Sequence, residues 1–190
     1  MKRSTKILEL FIAVLLVTST FYSFDTNFKK DKEGDPERGE YLSTIIGCDH
    51  CHAPKTMTPQ GPKPIMDRWM SGYPDTRELA DFNKSVVTPT GWGLHTADLT
   101  AFVGPWGVSF GANLTPDETG IGNWTFENFK KAMTEGKYKG LDNSRPMLPP
   151  MPWPSYQNME EQDLRDIFAY LKSLPPVRNK VPAFIPTDKI

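Results

Sequence analysis

Cysteine and histidine are scarce in this chain, and their scarcity limits the chemistry that it can perform. Of 190 residues, two are cysteines and three are histidines. Both cysteines lie in one short segment, Cys48-Asp49-His50-Cys51-His52. If the two thiols are used together there, no structural disulfide can form elsewhere, and the fold must gain its cohesion from another source.

A strong charge of either sign is also missing. The chain has 22 lysines and arginines against 23 aspartates and glutamates. Because nucleic acids bind to clustered basic faces, we expect no nucleic-acid partner. The length suits one domain of about 100 to 150 residues plus a targeting segment. The 18 prolines and 14 glycines fall mostly between residues 54 and 154, which predicts a loop-rich middle of the chain.

The C-x-x-C-H spacing of residues 48–52 predicts a covalent haem attachment site. Two thiols three residues apart can each add to a vinyl group of one porphyrin, and the histidine after the second thiol can then bind the iron. We therefore expect Cys48 and Cys51 to anchor one haem c and His52 to be its proximal ligand. A zinc site and a thioredoxin-like redox pair are the alternatives. Zinc sites usually space their second ligand pair farther away, and a redox pair needs a βαβ context.

The other two histidines are weaker candidates. His50 lies between the two cysteines, cannot turn back to the same iron, and is expected to face solvent. His95 follows a glycine-rich stretch, where a lone histidine is more often solvated than bound to a metal. It remains the histidine that could serve as a second ligand or as a distal acid or base.

The beginning of the chain reads as a secretory leader. Lys2, Arg3 and Lys6 precede a run from Ile7 to Val17 that is apolar except for Glu9. Residues 1–24 therefore predict a signal peptide or an N-terminal anchor, with residues 7–24 as the possible membrane attachment. Both alternatives place the rest of the chain outside the cytoplasm. Residues 25–35 are polar and predict a tether.

Capping residues and apolar periodicity predict three helices. The first begins at Pro36 with Asp35 as its N-cap, and the second spans Phe126 to Glu135 between a Thr125 cap and Gly136. The last follows an Asn158 cap with Glu161 in capping-box register and ends before Pro175-Pro176. A short helix around residues 76–82 is also possible. The course of the tail, residues 177–190, is not predicted.

A proline-rich loop runs from Arg145 to Tyr156 and contains two methionines. Pro152 keeps Met151 out of the helical region, so its thioether is presented from a stiff backbone, which suits a metal site. Met147 has the same context and is the rival. Alternatively, the loop is a rigid connector whose methionines only pack. Met133 falls on the apolar stripe of the second helix and is expected to fill the core.

These features resemble those of class I c-type cytochromes, and more closely the cytochrome modules associated with bacterial periplasmic dehydrogenases. The matching segments occur in the family's order: Arg38-Gly39-Glu40-Tyr41-Leu42, Cys48 to His52, Asn113-Leu114-Thr115-Pro116, Gly120-Ile121-Gly122-Asn123-Trp124-Thr125, Met151-Pro152-Trp153, and Asp163-Leu164 to Tyr170-Leu171. The resemblance implies an all-α cytochrome c-like domain over residues 36–176, with four to five helices around one covalent haem. It also implies that the first and last helices cross near Gly39 and Tyr170. Residues 53–112 are longer than in compact members and predict a loop-rich insertion.

By position, the resemblance makes Cys48 and Cys51 the thioether anchors, and His52 and Met151 the two axial ligands of the iron. Such a haem has no open position for substrate, so we expect an electron carrier and not an enzyme. Its partners are expected to be periplasmic or membrane redox proteins such as a dehydrogenase or an oxidase. The alternative is a haem enzyme or sensor with an open or labile sixth position, in which residues 53–112 build a distal pocket.

Overall fold

The computed structural model describes residues 33–87 and 91–190. The predicted signal or anchor, and the tether up to residue 32, lie outside the described residues. No helix in the described part has the length and apolar character needed to cross a bilayer.

The described residues contain five α-helices. They are α1 (Pro36–Ile45), α2 (Cys48–His52), α3 (Lys84–Val87), α4 (Phe126–Glu135) and α5 (Glu161–Ser173). The prediction of a short helix around residues 76–82 is wrong: these residues form no helix, and the nearby helix α3 begins only at Lys84. Helix α2 is the cysteine and histidine motif itself.

The prediction of an all-α fold is wrong, because part of the predicted loop-rich insertion forms two small antiparallel sheets. Strand β1 (Lys55–Thr58) pairs with β2 (Gly61–Pro64), and a second sheet has the order β3 (Leu94–His95), β4 (Ala101–Gly104), β5 (Gly107–Phe110). These strands are two to four residues long, too short to show a clear period of two in the sequence. Their pairing comes from tight turns and from packing.

Helix α1 begins where its capping residues predicted. The Asp35 carboxylate accepts hydrogen bonds from the backbone N–H groups of Glu37 and Arg38, and Pro36 occupies the first turn. The helix packs closely against α5 at Gly39, where an added Cβ would overlap the carbonyl oxygen of Asp166 and lie 2.8 Å from Cβ of Tyr170. The predicted crossing of the first and last helices is therefore confirmed.

Helix α4 also matches its prediction. Thr125 and Asn128 form a reciprocal capping box, and Gly136 ends the helix in the left-handed conformation with φ of 64°. The prediction for the start of α5 is wrong, since its N-cap is Glu160 and no side chain caps it. The carboxylate of Glu161 bonds instead to Lys130 and Arg165, so it is not available to cap the helix.

The main core lies between α1, α4 and α5. Its buried members are Leu42, Met70, Ile121, Phe129, Met133, Leu164, Ile167, Tyr170 and Leu171. The expectation that Met133 fills the core is confirmed, since its side chain is 5% exposed. A second apolar cluster, formed by Val87, Val103 and Val108, lies at the three-stranded sheet.

The tail after α5 packs against the rest of the fold. Asn179 is fully buried, and its amide nitrogen donates to the carbonyl oxygens of Ser71 and Tyr73. Ile185 exchanges two backbone hydrogen bonds with Val108 of β5. These contacts tie the tail to the stretch that follows the cysteine motif.

Candidate functional site

A glycine in the left-handed conformation lies between α1 and α2 and precedes the first residue of α2. Gly47 has φ of 74° and ψ of 34°, a conformation that glycine adopts without steric cost. Residues three apart share one helix face, so the turn brings Cys48 and Cys51 to the same side of α2. Both side chains are half-buried, and Cys48 packs against the main core.

The electrostatic surroundings do not activate the two thiols. Burial, reinforced by Asp49, raises the pKa of Cys48 to about 12. Burial also raises the pKa of Cys51, against the opposing charge of Lys55. Redox-active cysteines and metal-binding thiolates need a lowered pKa, so these pKa shifts disfavour a thioredoxin-like pair.

The donor set also disfavours a zinc site. Among residues 33–87 and 91–190, no three His, Cys, Asp or Glu side chains come together in an arrangement that could hold a metal ion. A structural zinc site needs four protein ligands. The two thiols and His52 do match what covalent attachment to a porphyrin requires.

The imidazole of His52 is oriented by a distant carbonyl group. Its Nδ1–H donates to the backbone oxygen of Ala112 over 2.8 Å. Because a carbonyl can only accept, this bond places the proton on Nδ1 and leaves the lone pair of Nε2 for a metal. Burial lowers the pKa of His52, although the bond to Ala112 opposes the shift. The ring is therefore held neutral, the form that binds iron.

Lys55 caps the end of α2, a role that the sequence analysis missed. Its Nζ donates to the carbonyl oxygens of Asp49, His50 and Ala53 over 2.8 to 3.0 Å, and to that of Asp98 over 3.3 Å. A lysine shortly after a helix end can bond the last carbonyls of the helix, and this position was the available signal. Lys55 thereby ties the end of α2 to the backbone of Asp98, farther along the insertion.

Asp98 is itself held in a buried polar network. Its carboxylate accepts from Nη1 of Arg77 over 2.7 Å and from the hydroxyl of Thr100 over 2.9 Å. The guanidinium of Arg77 also lies over the ring of Tyr73. The network fixes the turn between β3 and β4, from which Asp98 reaches Lys55.

The proline-rich loop brings Met151 to the core that Cys48 also contacts. Met151 is half-buried and packs against the main core, whereas Met147 is not among the described neighbours of that core. The backbone N–H of Met147 donates to the carbonyl oxygen of Gly136, at the end of α4. The two methionines therefore have different surroundings, and Met151 and Cys48 pack against the same core cluster.

Tyr156, at the end of this loop, lies near the cysteines. Its hydroxyl donates to the carbonyl oxygen of Ile46 over 3.4 Å, just before α2. Its pKa is raised by burial and, to a smaller extent, by the proximity of Cys48 and Cys51. No local pattern in the sequence marks this tertiary contact, so Tyr156 could not be predicted as part of the site.

The other two histidines are exposed to solvent. His50 is exposed, as expected. His95 is exposed at β3, with Nδ1 at 2.9 Å from the carbonyl oxygen of Thr96 and its ring near that of Phe102. Cys48, Cys51 and His52 thus lie on one short helix, α2, whereas His95 lies on β3.

Comparison with known proteins finds related sequences. Residues 95–175 match the family model described as cytochrome c. A nicotinate dehydrogenase subunit of Pseudomonas putida is 41% identical over 80 residues, which is 42% of this chain and 6% of that protein. A gluconate 2-dehydrogenase cytochrome c subunit of Pantoea cypripedii is 28% identical over 135 residues, 70% of this chain and 22% of that protein.

A diheme cytochrome c-type protein of Cereibacter sphaeroides is 30% identical over 144 residues, covering 75% of this chain and 37% of that protein. The chain therefore spans between 6 and 37% of the length of these three relatives.

Proposed function

Because this chain carries a cytochrome c domain related to the cytochrome c subunits of bacterial dehydrogenases, as its motifs predicted, we propose that it is an electron-transfer protein. In this proposal Cys48 and Cys51 hold one covalent haem c, and His52 and Met151 bind its iron. The haem supplies reversible one-electron chemistry. The chain supplies the anchors, both ligands, their orientation and a partly dry environment.

The observation that carries this proposal is the hydrogen bond from His52 Nδ1 to Ala112 O. Histidines that bind metals almost always donate their other ring N–H to a carbonyl or a carboxylate, which fixes the ring and its tautomer. The same residue follows the second cysteine of the motif, so position and orientation agree.

The assignment of Met151 as the second ligand rests on its surroundings. It packs against the same core as Cys48, and Pro152 limits its backbone freedom. Methionine ligation stabilises ferrous iron and raises the reduction potential. If His52 and Met151 both held the iron, no position would remain for a substrate, and the haem would supply electron transfer alone. In this proposal the protein is therefore not an enzyme.

The relatives and the residues at the beginning of the chain support a partner and a location for this proposal. The relatives named above are subunits of dehydrogenases or a diheme cytochrome. We therefore infer that this protein accepts electrons from an extracytoplasmic dehydrogenase and passes them to another redox protein. Residues 1–24 act as the signal peptide or anchor that places it there.

Mass spectrometry of the exported protein tests the proposal. We expect the mass of the chain plus one haem, and the haem should remain attached after extraction with acidified acetone. Replacing both Cys48 and Cys51 with serine should abolish the covalent adduct. A haem-free chain that binds zinc through these cysteines would contradict the proposal.

A further inference from the structure

The insertion contacts the methionine loop through one buried hydroxyl group. Ser109 lies on β5 and is 8% exposed. Its Oγ donates to the backbone oxygen of Pro149 over 2.6 Å, across 40 residues of sequence. Pro149 lies two residues before Met151.

The carbonyl oxygen of Pro149 can only accept this hydrogen bond, and a neighbouring tryptophan satisfies the acceptor side of the same hydroxyl. Nε1 of Trp106 lies 3.2 Å from Oγ of Ser109. An indole N–H can only donate, so the serine oxygen accepts from Trp106. The hydroxyl proton is then left for Pro149, whose carbonyl oxygen can only accept. In this row of hydrogen bonds, Trp106 therefore donates to Ser109, and Ser109 donates to Pro149.

The same short segment also contacts the proximal side of the site. Three residues after Ser109, the carbonyl oxygen of Ala112 accepts from His52. Between them, Gly111 lies so close to α2 that an added Cβ would overlap the carbonyl oxygen of Cys51. Residues 109–112 thus reach the methionine loop at one end and the proximal histidine at the other.

Backbone hydrogen bonds hold this segment in place. The N–H of Gly111 donates to Thr100 over 2.8 Å, and its carbonyl oxygen accepts from the N–H of Tyr73 over 2.9 Å. On β5, next to Ser109, Val108 pairs with Ile185 of the tail. A segment held from several sides can transmit a fixed geometry to both of the groups that it contacts.

We propose that Ser109 is a positioning residue for the proposed distal ligand, and that residues 109–112 brace both ligand-bearing segments against each other. This inference rests on the proposed function, in which Met151 binds the iron. The Ser109 bond holds the loop in the conformation that presents Met151. Without it, the loop opens more often, and an external ligand competes more successfully for the iron.

Imidazole is the probe for this competition, because it binds ferric haem when a methionine ligand dissociates. The experiment uses the full-length holoprotein and measures imidazole affinity by visible spectroscopy. A single hydrogen bond contributes about 0.5 to 1.5 kcal/mol, which corresponds to roughly two- to tenfold in an equilibrium constant. We expect Ser109→Ala to bind imidazole more tightly by that factor. In the absence of imidazole, this variant should keep the near-infrared band of the methionine ligand.

Two further variants distinguish the loss of the Ser109 hydrogen bond from a general loosening of the methionine loop. Trp106→Phe keeps the Ser109 hydroxyl but removes its donor, so imidazole affinity should rise by a smaller factor, and this variant replaces Ser109→Ala if that one does not fold. Ser144→Ala is the matched control, since the one hydrogen bond that its hydroxyl makes within the described residues goes to its neighbour Arg145, at the start of the loop. Its imidazole affinity should stay within about twofold of the unmutated protein.

The outcomes distinguish this inference from the proposed function. Met151→Ala is measured in parallel and should lose the near-infrared band. Suppose that Met151→Ala loses the band but Ser109→Ala, or Trp106→Phe in its place, binds imidazole like the unmutated protein. The positioning role of Ser109 is then wrong, while the assignment of Met151 as ligand stands. An equal increase in Ser144→Ala would also overturn the role of Ser109. If Met151→Ala keeps the band, the proposed function loses its distal ligand.

Discussion

Nδ1 of His52 lies 2.8 Å from the carbonyl oxygen of Ala112, although 60 residues separate them in the sequence. The bond connects the end of the insertion to the residue that follows the second cysteine. It selects the imidazole tautomer that can bind iron through Nε2. The insertion is therefore part of the proposed haem site and not only a connection between helices.

The first expectation concerns the distal ligand. Met151→Ala should abolish the weak near-infrared band from sulfur to iron and lower the reduction potential, because a thioether that stabilises ferrous iron is lost. Absorption spectroscopy and redox titration measure both effects. Met147→Ala is the matched control and should leave both nearly unchanged. The reverse pattern would transfer the assignment to Met147 and leave the electron-carrier proposal in place.

A second expectation concerns the lysine that caps α2. Lys55→Met should lower the free energy of unfolding by about 1–2 kcal/mol, because the carbonyl oxygens at the helix end lose a charged donor. The reduction potential should also fall, since a positive charge near the iron favours the ferrous state. Lys63→Met removes the exposed lysine of β2 and should change neither quantity. Equal effects in the two variants would show that Lys55 has no special role.

The crossing of α1 and α5 gives a third expectation. Gly39→Ala should reduce the free energy of unfolding by about 1–3 kcal/mol, because its methyl group would overlap the backbone of Asp166. Chemical denaturation followed by circular dichroism measures the loss. Gly93→Ala is the control, since the nearest atom to its added Cβ is Val103 O at 3.5 Å. A stable Gly39→Ala variant would mean that the helices can separate at little cost.

A fourth expectation concerns acid stability. Burial alone would raise the pKa of Asp98, but hydrogen bonds from Arg77, Thr96 and Thr100 outweigh it and lower the pKa. The stabilisation is therefore complete above the ordinary carboxyl pKa of about 4 and is lost as the pH falls through the lowered value. Asp98→Asn should be less stable at neutral pH and lose less stability on acidification.

Denaturation at several pH values between about 7 and 3 checks this expectation. Asp67→Asn, at an exposed carboxylate, serves as the control and should follow the unmutated protein. If Asp98→Asn loses as much stability on acidification as the unmutated protein, the Asp98 network does not control acid stability.

Much of the helical framework could be predicted because its signals are local. The capping residues act within one helical turn of the residues that they cap, so the nearby sequence is enough to predict their effect. They are Asp35, Thr125 and Gly136. The cysteine motif is equally local. The start of α5 was misplaced because Glu161 bonds to Lys130, a residue 31 positions earlier, and not to the helix end.

The sheets and the supports of the site could not be predicted for the same physical reason. Strands of two to four residues acquire their structure from pairing, and pairing partners are not encoded in a local period. Ala112 and Pro149 contribute backbone carbonyl groups, which every residue possesses. Their roles in holding His52 and Ser109 depend on the folded chain.

The binding of carbon monoxide to the unmutated ferrous protein tests the central claim most directly. If His52 and Met151 occupy both axial positions, the visible spectrum of the reduced protein should not change when carbon monoxide is added at neutral pH. Met151→Ala should bind the gas readily, which shows that the assay can detect an open position. Ready binding by the unmutated protein would contradict the account, because the sixth position would then be open and the protein would be a haem enzyme or sensor.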